Sequence, residues 1–113
     1  MFARVLYFDR KRCGDAYWWA AQSGRFTSAD YYRDVGYKDD CWDWANPQDV
    51  CDRVFVRFNT AGAHTASRSM SCGDVVVRVD ADGRCLAAWI CAAVGFDPVD
   101  PECFQGLLDE VAR

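Results

Sequence analysis

The stretch that most constrains this chain is Asp74-Val75-Val76-Val77-Arg78-Val79, followed by Asp80-Ala81-Asp82-Gly83 and an apolar return from Cys85 to Cys91. β-Branched residues are stiff at χ1 and pack well on a pleated surface, and Asp-Gly between apolar runs is a hairpin signature. The pattern predicts two antiparallel strands, over 74–79 and 85–91, with the alanines weakening the second. Phe2–Phe8 (FARVLYF) reads as another strand, and Arg53–Asn59 (RVFVRFN) as a further one. In the latter Val54, Val56 and Phe58 point one way and Arg53, Phe55 and Arg57 the other.

Helices are predicted around these strands. Asp15 caps a short one through residue 21, and Thr27 or Ser28 caps a second through Val35, with Gly36 past its end. Asn46-Pro47 opens a brief helix to Arg53, since proline suits a first helical position. Gly95-Phe96 breaks the chain. Asp100 then caps a final helix, 101–111, whose Cys103, Phe104, Leu107, Leu108 and Val111 form an apolar face. The expected fold is α+β: a small antiparallel or mixed sheet of about three to five strands, with helices on one face, the C-terminal one included.

The 113 residues and 12.8 kDa fit one domain, 1–113. Surface scaling gives about 6,300 Å² folded against roughly 18,600 Å² unfolded, enough for one core. Half the residues are apolar (51%), which excludes global disorder, and no apolar run is long enough for a membrane span. Charges at Asp9–Arg12 follow the first apolar stretch, the reverse of a secretory signal, so the mature chain is expected to begin near Met1. The seven cysteines are odd in number and widely scattered, with no CxxC pair. Reduced thiols in a cytoplasmic protein are the expectation.

Net charge is −4, unevenly spread. Residues 30–52 hold seven aspartates against Arg33 and Lys38, interleaved with Tyr31, Tyr32, Tyr37, Trp42 and Trp44. Tyr37, Asp39, Asp40, Trp42, Asp43 and Trp44 are the candidate partner-binding residues, a surface for a basic protein whose own ligand is nucleic acid. The competing reading makes the aromatics core and the aspartates solvated caps. Arg4, Arg10, Lys11 and Arg12 are the candidates for direct nucleic-acid contact, which the acidic balance disfavours.

Other chemistries find little support. One histidine, His64, excludes the standard zinc-finger patterns, and DADG lacks the later ligands of a calcium loop. No phosphate-binding glycine motif is present, and no cofactor is expected. Arg68, Ser69 and Ser71 suit either an anion or a structural loop in which Arg68 bonds carbonyls. A cysteine-dependent enzyme would use Cys72 as nucleophile, His64 as base and Asp74 to orient the imidazole, although such a nucleophile normally precedes a helix rather than a strand.

From Phe55 to Phe96 the order FN, then Arg68-Ser69-Met70-Ser71-Cys72-Gly73-Asp74-Val75-Val76, a turn at Asp82-Gly83 and a close at Gly95-Phe96 resembles the YodL-like small proteins of phages, plasmids and other mobile elements. The resemblance covers about forty residues. The chain departs from it at Ile90–Val94, where that group carries Tyr, Cys and Asp. It implies a small cytoplasmic accessory protein of a mobile element. The favoured function is a non-enzymatic acidic binding protein, an inhibitor of a host CRISPR or restriction complex acting on a basic nucleic-acid-binding surface. The alternatives are the Cys72–His64 enzyme, a weak nucleic-acid binder, or a dimer formed at a strand edge.

Overall fold

The computed structural model describes residues 1–60 and 68–111, apart from the side chains of 15–17 and 111. Five strands form one antiparallel sheet: β1 (Phe2–Phe8), β2 (Tyr32–Asp39), β3 (Val75–Val79), β4 (Cys85–Cys91) and β5 (Phe96–Val99), in the order β2-β1-β3-β4-β5. The hairpin lies at the centre-right of this sheet, Val76 opposite Trp89, and β1 pairs on its other side with Val5 opposite Val76.

Alternation along each strand sends side chains to two faces, and both are buried. On one face Ala3, Val5, Tyr7, Val76, Trp89, Cys91 and Phe96 lie under α3 (Pro47–Phe58), which contributes Val50, Cys51, Val54 and Phe58. On the other, Leu6, Phe8, Val75, Val77, Val79 and Ile90 meet Tyr32, Ala21 of α2 (Asp15–Gln22), Phe104, and Leu108 of α4 (Gln105–Val111). A short α1 (Arg10–Cys13) and single 3₁₀ turns at Ala29–Tyr31 and Pro101–Phe104 complete the chain. The α+β class and the C-terminal helix are as expected. Helices cover both faces rather than one, because β1 and β3 are apolar on both sides.

Three local expectations are corrected. Residues 53–59 are not a strand: 53–58 belong to α3, and Asn59 caps its end. Asn46 caps it, its side chain accepting from Asp49 N at 3.2 Å, and the buried set Val50, Cys51, Val54 and Phe58 follows helical spacing. Val56, read as a partner of Val54, points to solvent at 63% exposure. Residues 32–35 open β2 rather than continuing a helix, since the Ser28 cap supports only one 3₁₀ turn before Tyr32 pairs with Phe8 of β1 and meets its ring edge-on. Gly95-Phe96 turns the chain into β5 instead of ending the sheet.

The two sheet edges are irregular. In β2 the pairing slips between Arg4–Lys38 and Leu6–Asp34, where Gly36 takes φ +83° and donates to Asp34 Oδ1. β5 has four residues, with Pro98 opposite Trp89.

Candidate functional site

The acidic aromatic segment leaves the end of β2, runs over residues 40–46 and returns as α3. Arg57 of α3 joins its parts. Its Nη1 donates to Tyr37 Oη at 3.1 Å and Asp39 Oδ2 at 3.0 Å, and its guanidinium lies 5.2 Å from the centre of the Trp42 ring. Trp42 Nε1 donates to the same Tyr37 oxygen at 3.2 Å, and the Tyr37 ring meets Phe58 edge-on at 5.1 Å. Burial raises the Tyr37 pKa, outweighing these donors. Hydrogen bonds from the Cys41 thiol and backbone N–H, with help from Arg57, hold Asp39 below the usual carboxylate range; the same carboxylate pushes the Cys41 thiol up.

Trp44 stacks on Trp89 at 5.7 Å and 14°, with the Arg78 guanidinium 5.8 Å from its ring. Tyr37, Trp42 and Trp44 are thus half-buried wall pieces of the α3 core, each with one side outward. Asp40 and Asp43 are exposed, and Asp43 Oδ1 accepts from Ala45 N at 3.0 Å to turn the loop. The two readings of this segment divide by residue type: aromatics inward, aspartates outward.

Between loop and helix runs an open groove of about 690 Å³, lined by Trp42, Asp43, Asp49, Val50, Arg53, Val56 and Arg57 among others. Arg53 pairs with Asp49 at 2.9 Å and Arg57 with Asp39 at 3.0 Å, so Asp40 and Asp43 set the sign of this surface. The α3 wall escaped the sequence reading because 53–59 alternates like a strand. The Asp49–Arg53 spacing of four was the signal for a helix.

Arg68, Ser69 and Ser71 take the structural arrangement. The Arg68 guanidinium grips Asp74 through Nη1–Oδ2 at 2.7 Å and Nη2–Oδ1 at 2.8 Å, and donates to Phe8 O at 3.0 Å and Ser71 Oγ at 3.3 Å. It also lies over Tyr7, 4.2 Å from the ring centre, while Tyr7 Oη donates to Arg68 O. Asp74 is fully buried, and Phe8 N and Ser71 N fill its remaining acceptor sites. Four donors saturate a carboxylate, so Asp74 has no lone pair with which to orient an imidazole. His64 lies outside the described residues. Cys72 packs against the core, its carbonyl accepting from Gln22 Nε2 at 3.4 Å.

The basic candidates are largely engaged. Arg4 pairs with Asp34, Arg12 donates to Tyr32 O at 2.7 Å and Arg10 lies over Trp18 at 5.4 Å, while Arg10, Lys11 and Arg12 all remain exposed. Among the described residues no cluster of three metal-ligating side chains occurs, and no helix is long and apolar enough to cross a membrane. No family model, curated protein or solved structure matches the chain.

Proposed function

We propose that this chain is a non-enzymatic binding protein that engages a basic surface of a protein partner through the groove between α3 and residues 40–46. The observation that carries this reading is Val56, a 63% exposed apolar side chain set in a groove whose uncompensated lining charge is Asp43, with exposed Asp40 nearby in the same loop. An apolar anchor inside an acidic rim suits a partner side chain flanked by lysine or arginine. The aromatics Trp42 and Tyr37 fix the wall of that groove. The resemblance to mobile-element accessory proteins extends the reading to its target. That target is a nucleic-acid-binding surface of a CRISPR or restriction complex, which the protein inhibits by occupying it.

The test uses the immobilised protein against lysates that carry such complexes, beside two variants, Val56→Glu and the pair Asp40→Lys with Asp43→Asn. Asparagine keeps the acceptor that turns the loop at Ala45. The expected result is a stoichiometric partner that excess duplex DNA displaces, with retention falling on the order of tenfold in each folded variant. Equal retention by wild type and variants overturns the surface, and absence of any partner across the panel overturns the binding role.

A further inference from the structure

None of the seven cysteines forms a disulfide, and two of them lie at the same end of the sheet. At the entry to β3, Gly73 N donates to Cys91 O at 2.9 Å while Cys91 N donates to Asp74 O at 2.8 Å. Two residues of one strand thus oppose one of the other, a β-bulge that carries Cys72 alongside Cys91. Cys72 packs against the core cluster that contains Cys91, and the Cys91 thiol, pushed up first by burial, is raised further by the neighbouring Cys72 side chain. Their accessibility differs. Cys91 is buried at 5% exposure, whereas Cys72 is half-buried at the surface end of the same core. Such a pair has the layout of a peroxide-sensing couple, in which an accessible thiol is oxidised and an adjacent one resolves it.

We propose that Cys72 and Cys91 form a reversible intramolecular disulfide in response to hydroperoxide. The Cys72 sulfur attacks the peroxide, forming an S–O bond as the O–O bond breaks; the sulfur is oxidised to a sulfenic acid, and water or an alcohol leaves. Cys91 Sγ then attacks the Cys72 sulfur, the S–O bond breaks, and the hydroxyl leaves as water with the Cys91 thiol proton. A dithiol reductant returns both cysteines to thiols and is itself oxidised to a disulfide. The bond ties the start of β3 to the end of β4, beside the Arg68–Asp74 pair. The segment 68–74 is then fixed covalently as well as by ionic contact.

The whole chain, oxidised with near-stoichiometric hydrogen peroxide and then alkylated, is digested without reductant. Cleavage after Arg68 and Arg78 isolates Cys72, and cleavage after Trp89 separates Cys91 from Cys85. The expected result is a loss of about 2 Da, a cross-linked Cys72–Cys91 peptide pair, and reversal by dithiothreitol. A Cys72→Ser variant, its fold checked by circular dichroism, keeps its mass. Cys91→Ala gains about 16 Da at Cys72 instead. Alkylation of both residues in the oxidised wild type overturns the proposal, as does a Cys51–Cys91 link or a 2 Da loss that persists in Cys72→Ser. The wild-type map decides the matter even where a variant fails to fold.

Discussion

Arg68 and Asp74, six residues apart, meet as a two-pronged ion pair at 2.7 and 2.8 Å over Tyr7, the carboxylate fully buried and the guanidinium partly exposed. The pair joins the 68–74 segment to β1, because Asp74 also holds Phe8 N at the end of β1 and Ser71 N in its own turn. A buried charge that loses its partner stays desolvated without compensation, which is where the cost of breaking such a pair arises. Arg68→Ala is therefore expected to destabilise by about 3–5 kcal/mol. Arg68→Lys, which keeps the charge and loses the fork, costs about 1.5–3 kcal/mol. Urea unfolding of the two variants checks the order; equal losses would show that charge alone matters.

Gly73 supplies the turn that presents Asp74. Its φ is +94°, and a Cβ there would stand 2.6 Å from the carbonyl oxygen of Ala21 in α2. Gly73→Ala combines backbone strain with a collision against backbone that cannot swing aside, so a loss of roughly 2–4 kcal/mol is expected. Gly106, in α4, has an ordinary φ and nothing within 4 Å of an added Cβ. Gly106→Ala is expected to stabilise by about 0.5–1 kcal/mol. Thermal melts of the two alanine variants should move in opposite directions.

Alkaline pH should loosen the core before it touches the surface. Burial raises the thiol of Cys85 to about 11 and those of Cys51 and Cys91 to about 12, and lifts the Tyr7 phenol to about 12. Above about pH 9 the unfolded thiols have lost protons that the folded ones keep, so the unfolded state is favoured as pH rises. The stability these groups contribute is complete below the unfolded values and declines through pH 9–12, by up to about 1.4 kcal/mol per pH unit for each group. The urea midpoint is expected to fall between pH 9 and 11, and Cys85→Ala should flatten that fall.

Val54 and Val56 provide a direct check on α3. Val54 is fully buried and Val56 is 63% exposed. Val54→Ala should cost about 2 kcal/mol, two methyl groups' worth of burial plus a small cavity, while Val56→Ala should stay within about 0.5 kcal/mol. Similar costs at both positions would indicate the strand that the alternation suggests.

Those two valines also show why parts of the fold were hidden in the sequence. In Arg53–Asn59 the apolar residues satisfy period two as well as they satisfy a helix, and only the longer window from Val50 separates the two. β2 was hidden for a different reason. Its polar residues Arg33, Asp34 and Lys38 gain their place from β1, where Arg4 pairs with Asp34 and Lys38 covers Phe2. No local preference records such a contact. β1, the hairpin and the final helix were legible because their patterns are local and unmixed. At the site, the acidic aromatic segment was visible as composition. Its opposite wall and the role of Asp74 depend on residues brought together by the sheet.

The edges of that sheet carry a consequence for how this molecule meets others. At one side Gly36 interrupts the row of β2 amides between Lys38 and Asp34, and at the other β5 is short and contains Pro98, which has no amide hydrogen to offer. Neither border gives a visiting chain a continuous ladder to zip onto. Growth into fibres, exchange of strands between copies and capture of extended peptides by backbone pairing are all discouraged. A dimer by strand addition, the alternative the sequence offered, would have to form across the slip at Gly36 or beside Pro98. What these borders present to another molecule is chiefly side chains.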